Sequence, residues 1–185
     1  MGLRHIMYAD DDTTPLAQLL KMRLPSLGVG LGLGILLSFI TSKFETVLLE
    51  NIRLAFFIPF IVYMADAVGT QTQSIYVRDL KSGKAVFHHY LVKETALGLV
   101  IGLLAGAAVA GVVWLWFQSA ELVLTVSLAM FSAVAIAPVV ALVVAEIFQL
   151  EHTDPAVGGG PIATVVQDTL TMLVYGLIAT AIILH

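Results

Sequence analysis

Five apolar stretches, at roughly 25 to 42, 52 to 77, 94 to 117, 121 to 148 and 161 to 184, each approach the roughly 20 residues needed to cross hydrocarbon, and little polar sequence separates them. Few folds are open to such a chain. No water satisfies backbone groups inside a bilayer, so an open sheet is excluded and each stretch must close its own hydrogen bonds as a helix. With 59% hydrophobic and 12% charged residues and a mean hydropathy of +0.97, the chain has too few polar side chains to cover a soluble domain of its 185 residues. The expectation is an all-α, polytopic protein of the cell (inner or plasma) membrane, with five transmembrane helices per chain.

Basic residues orient it. Arg4, Lys21, Arg23, Arg78, Lys81, Lys84 and Lys93 fall on one side, and only Lys43 and Arg53 on the other. The positive-inside rule makes the richer side cytoplasmic, which places the N-terminus, the loop at 78–93 and the linker at 150–160 inside, and His185 outside. Residues 1–24 read as a cytoplasmic tail and 25–185 as the transmembrane domain. Within the tail, Thr14 as N-cap and Pro15 at the first helical position start a short amphipathic helix bearing Leu16, Leu19, Leu20 and Arg23, which lies at the interface and ends at Pro25. The first apolar stretch follows Asp10, Asp11 and Asp12 rather than a basic start, so it reads as retained rather than as a cleaved signal.

Gly98, Gly102, Gly106 and Ala110 recur every four residues, which puts a small-residue face on the third span and lets a neighbouring helix approach closely. Pro59 and Pro138 sit inside the second and fourth spans, where a missing amide bond permits a kink. Trp114, Trp116 and Phe117 end the third span as an interfacial aromatic belt. With no cysteine, the chain has no thiol chemistry, no thiolate ligands and no disulfides.

The chemistry concentrates in the last span. Asp168 stands about eight residues into it, and no Lys or Arg follows Lys93. A carboxylate at such depth costs roughly 2.5 to 3.5 kcal/mol on insertion scales and normally faces a partner, a wet cavity or an ion path. Thr164, Asp168, Thr171 and Tyr175 recur at helical spacing on one face, and so do Tyr63, Asp66, Thr70 and Gln73 in the second span. Polar faces are economical when turned toward a shared interior. Their hydroxyl, amide, carbonyl and carboxylate oxygens suit a hard cation, and magnesium, which sheds water reluctantly, need not be fully stripped to pass. A single Asp168 per chain is a thin cage, so the expected unit is a homodimer with the pore formed in the dimer. Glu151, His152 and Asp154 are candidates for the inner mouth, and His88 and His89 read as solvated.

Taken in order, these residues resemble the transmembrane domain of the MgtE family of magnesium transporters over nearly the whole chain, from Arg23-Leu24-Pro25 onward. The most specific stretch runs from Asp154-Pro155-Ala156 through Gly160-Pro161, a run whose prolines and glycines read as a hinge before the last helix, to Thr164 and Asp168. Gly69-Thr70-Gln71 with Val77-Arg78-Asp79-Leu80 is similar to the end of the family's second helix, Lys93-Glu94 with Gly98 to the start of its third, and Phe44-Glu45-Thr46 to its first outer loop. One departure matters: where the family has Gly-Gly-Asn, this chain has Ala65-Asp66-Ala67.

The resemblance implies a divalent cation channel or transporter, magnesium foremost, conducting the ion partly hydrated past Asp168. It makes Asp168, Thr164, Gly160, Asp66, Ala67 and Thr70 the candidate metal-contacting set, with Tyr63, Gln73, Thr171 and Tyr175 lining the pore and Glu151 and Asp154 at its mouth. The ion is cargo, so no cofactor, catalytic residue or nucleic-acid partner is expected. Family members typically carry a large cytoplasmic N-terminal region that senses magnesium. No counterpart is read in this sequence, so gating is expected to be absent, intrinsic or supplied by a regulatory partner. The competing readings are a carrier for manganese, calcium or cobalt, a proton-coupled exporter using Asp66 as relay, an intramembrane aspartyl protease, and an inert helper subunit. For the protease, the sequence lacks a Gly-x-Gly-Asp context, since Asp168 follows Val165-Val166-Gln167.

Overall fold

In the computed structural model, residues 12–151 and 155–184 are described, and they form six helices: α1 (Leu16–Ser42), α2 (Glu45–Glu50), α3 (Arg53–Lys81), α4 (Phe87–Phe117), α5 (Ala120–Leu150) and α6 (Pro155–Ile183). All except α2 are long and apolar enough to span a membrane, and no strand occurs among the described residues. The all-helical, five-span architecture expected from hydropathy is therefore the architecture observed.

α5 is the central pillar. Its apolar window is 61% buried, against 33% or less for the other four. α3, α4 and α6 pack around it, and α1 leans mainly on α6. Two residues join α4 to α5: Gln118 turns the chain with a left-handed φ of 49°, and the Ser119 hydroxyl accepts the Leu122 amide at 3.3 Å to cap α5. So short a connection forces the two helices to run antiparallel as neighbours.

The small-residue face of α4 explains how close they come. A Cβ on Gly98 would lie 2.8 Å from the Ala135 carbonyl oxygen, on Gly102 2.8 Å from that of Phe131, and on Gly106 3.0 Å from that of Ser127. Without a hydrophobic force between helices in lipid, contact of this kind is a main source of attraction. α1 offers no such match, since a Cβ on Gly28, Gly30, Gly32 or Gly34 would meet nothing within 4 Å.

Three local expectations need correction. Pro25 does not end a helix: α1 runs through it from Leu16 to Ser42, with Pro15 rather than Thr14 at the cap position. Within a bilayer a helix broken at Pro25 would strand more backbone than the one amide a proline removes. The neighbouring Ser26 hydroxyl donates to the Arg23 carbonyl at 2.9 Å and lies 3.4 Å from that of Val157, tying this turn of α1 to α6. The glycine-rich run before Asp168 is likewise helical rather than a hinge, because α6 begins at Pro155 and carries Pro161 inside it. Gly158 lies against the Phe148 ring so closely that a Cβ there would overlap it. The first outer loop also contains an unforeseen short helix, α2, whose Val47 is buried in the main core.

Gly102→Val should therefore push α4 away from Phe131 and lower unfolding stability in detergent by about 1–3 kcal/mol, the usual cost of overpacking. Gly111→Ala, which meets open space, should change it by less than about 0.5 kcal/mol.

Candidate metal centre

α3 and α6 pack against each other and against α5, and this brings the two polar faces together. At their contact the side chains of Asp66 and Asp168 meet directly, and no cationic group acts on either. Asp168 Oδ1 is buried without a hydrogen-bond partner. The two side chains lie within hydrogen-bond reach of each other, a contact that two carboxyl groups keep only by sharing a proton or a cation, and no further donor reaches Asp168 Oδ1.

A void opens on either side of the pair. A narrow cleft of about 10 Å³, room for about one water, lies between α3, α5 and α6, lined by Asp66, Thr70 and Gln73 from α3, Thr164 and Gln167 from α6, and small residues including Gly69 and Ala137. The close approach of Gly69 to the Ala137 carbonyl, 3.5 Å from where a Cβ would stand, leaves this space without bulky side chains. An open groove of about 400 Å³ lies toward the start of α3 and the end of α6, bounded by Leu37, Ser38 and Thr41 of α1, Ile58 and Val62 of α3, and Asp168 and Met172 of α6. The carboxylate pair stands between groove and cleft.

Of the expected site residues, the fold brings together Asp66, Thr70, Gln73, Thr164 and Asp168. Gly160 and Ala67 are half-buried on the same two helices, outside the residues lining either void. Tyr63 is 65% exposed and points away. Thr171 is buried and accepts a hydrogen bond from Gln167 Nε2 at 3.2 Å. Tyr175 is buried in the core, where its hydroxyl donates to the Leu54 carbonyl at 2.7 Å and ties α6 to the first turn of α3. Glu151 is exposed at the end of α5, and Asp154 and His152 lie outside the described residues. Among the described residues no three of His, Asp or Glu gather closely enough to hold a metal by themselves, so the donor set is the carboxylate pair with hydroxyls, amides and carbonyls.

A second polar seam runs down another face of α3, and the spacing of single residues did not reveal it. Thr72 donates to Glu94 Oε2 of α4 at 2.7 Å, Tyr76 to Glu146 of α5, and Tyr90 of α4 to Asp79. Thr72, Tyr76 and Asp79 follow helical spacing, and the Tyr76 and Tyr90 rings pack edge to face at 4.9 Å. This seam fixes the rotation of α3 against α4 and α5, which keeps Asp66 turned toward α6.

Five helices long and apolar enough to span a membrane, with an acidic pair held between two of them, define a polytopic membrane protein. Comparison with known sequences gives its kin. Residues 58–178, from α3 through most of α6, match the MgtE family, described as divalent cation transporter. The chain belongs to that family. It is 30% identical to the magnesium transporter MgtE of Bacillus subtilis (strain 168) over 164 residues, 87% of this chain and 36% of that protein. With the magnesium transporter MgtE of Enterococcus faecalis it shares 31% identity over 182 residues, 97% of this chain and 40% of the relative. The namesake from Thermus thermophilus is 26% identical over 149 residues, 77% of this chain and 32% of that protein. The chain thus spans two fifths or less of the length of these relatives.

Tyr76→Phe should leave the half-buried Glu146 carboxylate without its donor and lower stability in detergent by about 1–3 kcal/mol, measured by thermal or denaturant unfolding of the purified protein.

Proposed function

We propose that this chain forms the membrane passage of a homodimeric divalent cation channel or transporter, with magnesium as the principal cargo. The observation that carries the reading is the Asp66 and Asp168 pair set between groove and cleft without a compensating cation. Two negative charges side by side in hydrocarbon are stabilised most by a small doubly charged cation, and the surrounding oxygen donors suit a hard one. The magnesium transporters to which the chain is similar support the choice of cargo.

Asp168 contacts the ion or its water shell, Asp66 adds a second carboxylate from the same protomer, and Thr70 and Thr164 supply hydroxyls. The exposed faces of α1 and its unfilled glycine row leave room for a second copy, which would double the acidic set around a molecular twofold. With the N-terminus cytoplasmic, as the basic residues favour, the membrane potential drives a divalent cation inward. At about 2.3 kcal/mol per charge per 100 mV, the double charge gains roughly 4.6 kcal/mol, enough to move it without a coupling ion. The aspartate pair also has the arrangement of a protease dyad, but membership of a transporter family weighs for passage rather than hydrolysis.

Expression of the wild-type chain should restore growth of a cell lacking its own magnesium uptake, and Asp168→Asn should not, at matched protein levels in the membrane. Competition of uptake by manganese, calcium and cobalt at two pH values tests the cargo: suppression by manganese or cobalt below the magnesium concentration would reassign it, and uptake that follows the proton gradient would point to an exporter.

A further inference from the structure

A second groove opens where α1 meets α2, a space of about 370 Å³ bounded by Ser38, Thr41 and Ser42 of α1 and by Glu45, Leu48 and Leu49 of α2. Ser38 and Thr41 also bound the groove that reaches Asp168. The two grooves are therefore one trough along α1, with the Glu45 carboxylate at one end and that of Asp168 at the other.

The hydroxyls of α1 sort onto this trough. At 100° per residue, Ser38, Thr41 and Ser42 fall within about 100° of one another. Each gives its hydrogen to the backbone of α1: Ser38 to the Gly34 carbonyl at 3.1 Å, Thr41 to that of Leu37 at 2.9 Å and Ser42 to that of Phe39 at 2.7 Å. Their oxygens are left as acceptors. Such back-bonding also lets lipid tolerate a lone hydroxyl. Three acceptors on one face between two carboxylates, however, favour water and a cation over an acyl chain.

The basic residues nearby are held off the trough. Lys43 places Nζ 4.4 Å from the centre of the Phe39 ring, and the Arg53 guanidinium lies 5.3 Å from that of Phe117. Neither lines either groove. Glu45 is exposed, and among the described residues no hydrogen bond or ion pair engages its carboxylate. An unpaired acid at the head of an oxygen-lined trough raises the local concentration of cations there.

We propose that Glu45 is the collecting residue of the passage: it draws a divalent cation from the outer solution into the trough, and the oxygens of Ser42, Thr41 and Ser38 lead the ion to Asp168. The proposal rests on the transport reading above and on the orientation that the basic residues favour, and it deepens that reading by giving the site an entrance. Glu45 acts on arrival, so it governs how steeply flux rises with concentration and not the limiting rate.

Purified full chain in liposomes loaded with a magnesium-sensitive dye gives the first test. At low ionic strength, Glu45→Gln should raise the half-saturating magnesium concentration about three- to tenfold and leave maximal flux unchanged. In about 1 M choline chloride, where the screening length is about 3 Å, the two proteins should coincide. Glu50→Gln, which removes an equal charge from the other end of α2 and outside the trough, should match wild type. The absence of cysteine allows a second test. Ser38→Cys should react with a cationic, water-soluble methanethiosulfonate supplied to both faces, because only a wetted thiol ionises. Magnesium should slow that reaction, and so should Glu45→Gln in the same chain. Leu36→Cys, exposed about 160° around α1 from Ser38, should stay unreactive.

Unchanged half-saturation in Glu45→Gln would overturn the proposal, and so would an equal shift in Glu50→Gln, which would reduce the effect to general surface charge. A Ser38→Cys thiol no more reactive than that of Leu36→Cys would overturn it too, by showing the trough filled with lipid or by a second copy. In each case, loss of flux in Asp168→Asn keeps the transport reading standing. A wild type that passes no magnesium overturns that reading and the proposal with it.

Discussion

The meeting of two acidic side chains, Asp66 and Asp168, between helices that span a membrane is the constraint around which this molecule is organised. Asp66 and Asp168 belong to helices that must be immersed in hydrocarbon, and no cationic side chain neutralises either. Taking both out of water costs free energy that their contact with each other repays only in part. The helices nevertheless stay together, because other contacts hold them: both rest on α5, Tyr175 bonds the Leu54 carbonyl, and Thr72 and Tyr76 bind α3 to α4 and α5. An unfavourable local arrangement maintained by favourable surroundings is the usual signature of a functional site.

The division of labour among helices follows from side-chain size. α4 meets α5 through glycines and contributes no polar group to the cleft, so it acts as support. α5 gives the cleft its small residues, Ala137, Val140 and Ala141, which keep the space open without filling it. α3 and α6 then supply the chemistry. Family membership over residues 58–178 covers these four helices almost completely and leaves α1, the least buried span, outside the match.

Much of this was legible in the residues alone. Hydropathy marked all five spans, and helical spacing found Asp66, Thr70 and Gln73 on one face and Thr164 and Asp168 on another, because immersion in lipid forces every helix to sort its polar groups by angle. Tyr63 lies outside the cleft of the single chain because it stands about 60° around α3 from Asp66 at 100° per residue, enough to turn a large side chain outward. Tyr175 shares the face of Asp168, but its ring is long enough to reach the backbone of α3, and periodicity says nothing about reach. Gln167 stands outside the Asp168 face, because adjacent residues point 100° apart, yet α5 packs close enough to draw it into the cleft. The bonds from Thr72 to Glu94 and from Tyr76 to Glu146 join residues 22 and 70 positions apart, a pairing that no local pattern encodes. Pro25 and the run from Gly158 to Gly160 looked like interruptions by the rules of aqueous helices, which lipid relaxes.

The bond from Tyr175 to Leu54 also sets a lever. It fastens α6 to α3 near one extremity of both. Asp168 lies seven residues from that anchor and Gly160 fifteen, or about 10 and 22 Å along the axis. Any tilt of α6 about the anchor is therefore roughly doubled between the acids and the glycines, so the spacing of α6 from its neighbours varies least beside Asp168.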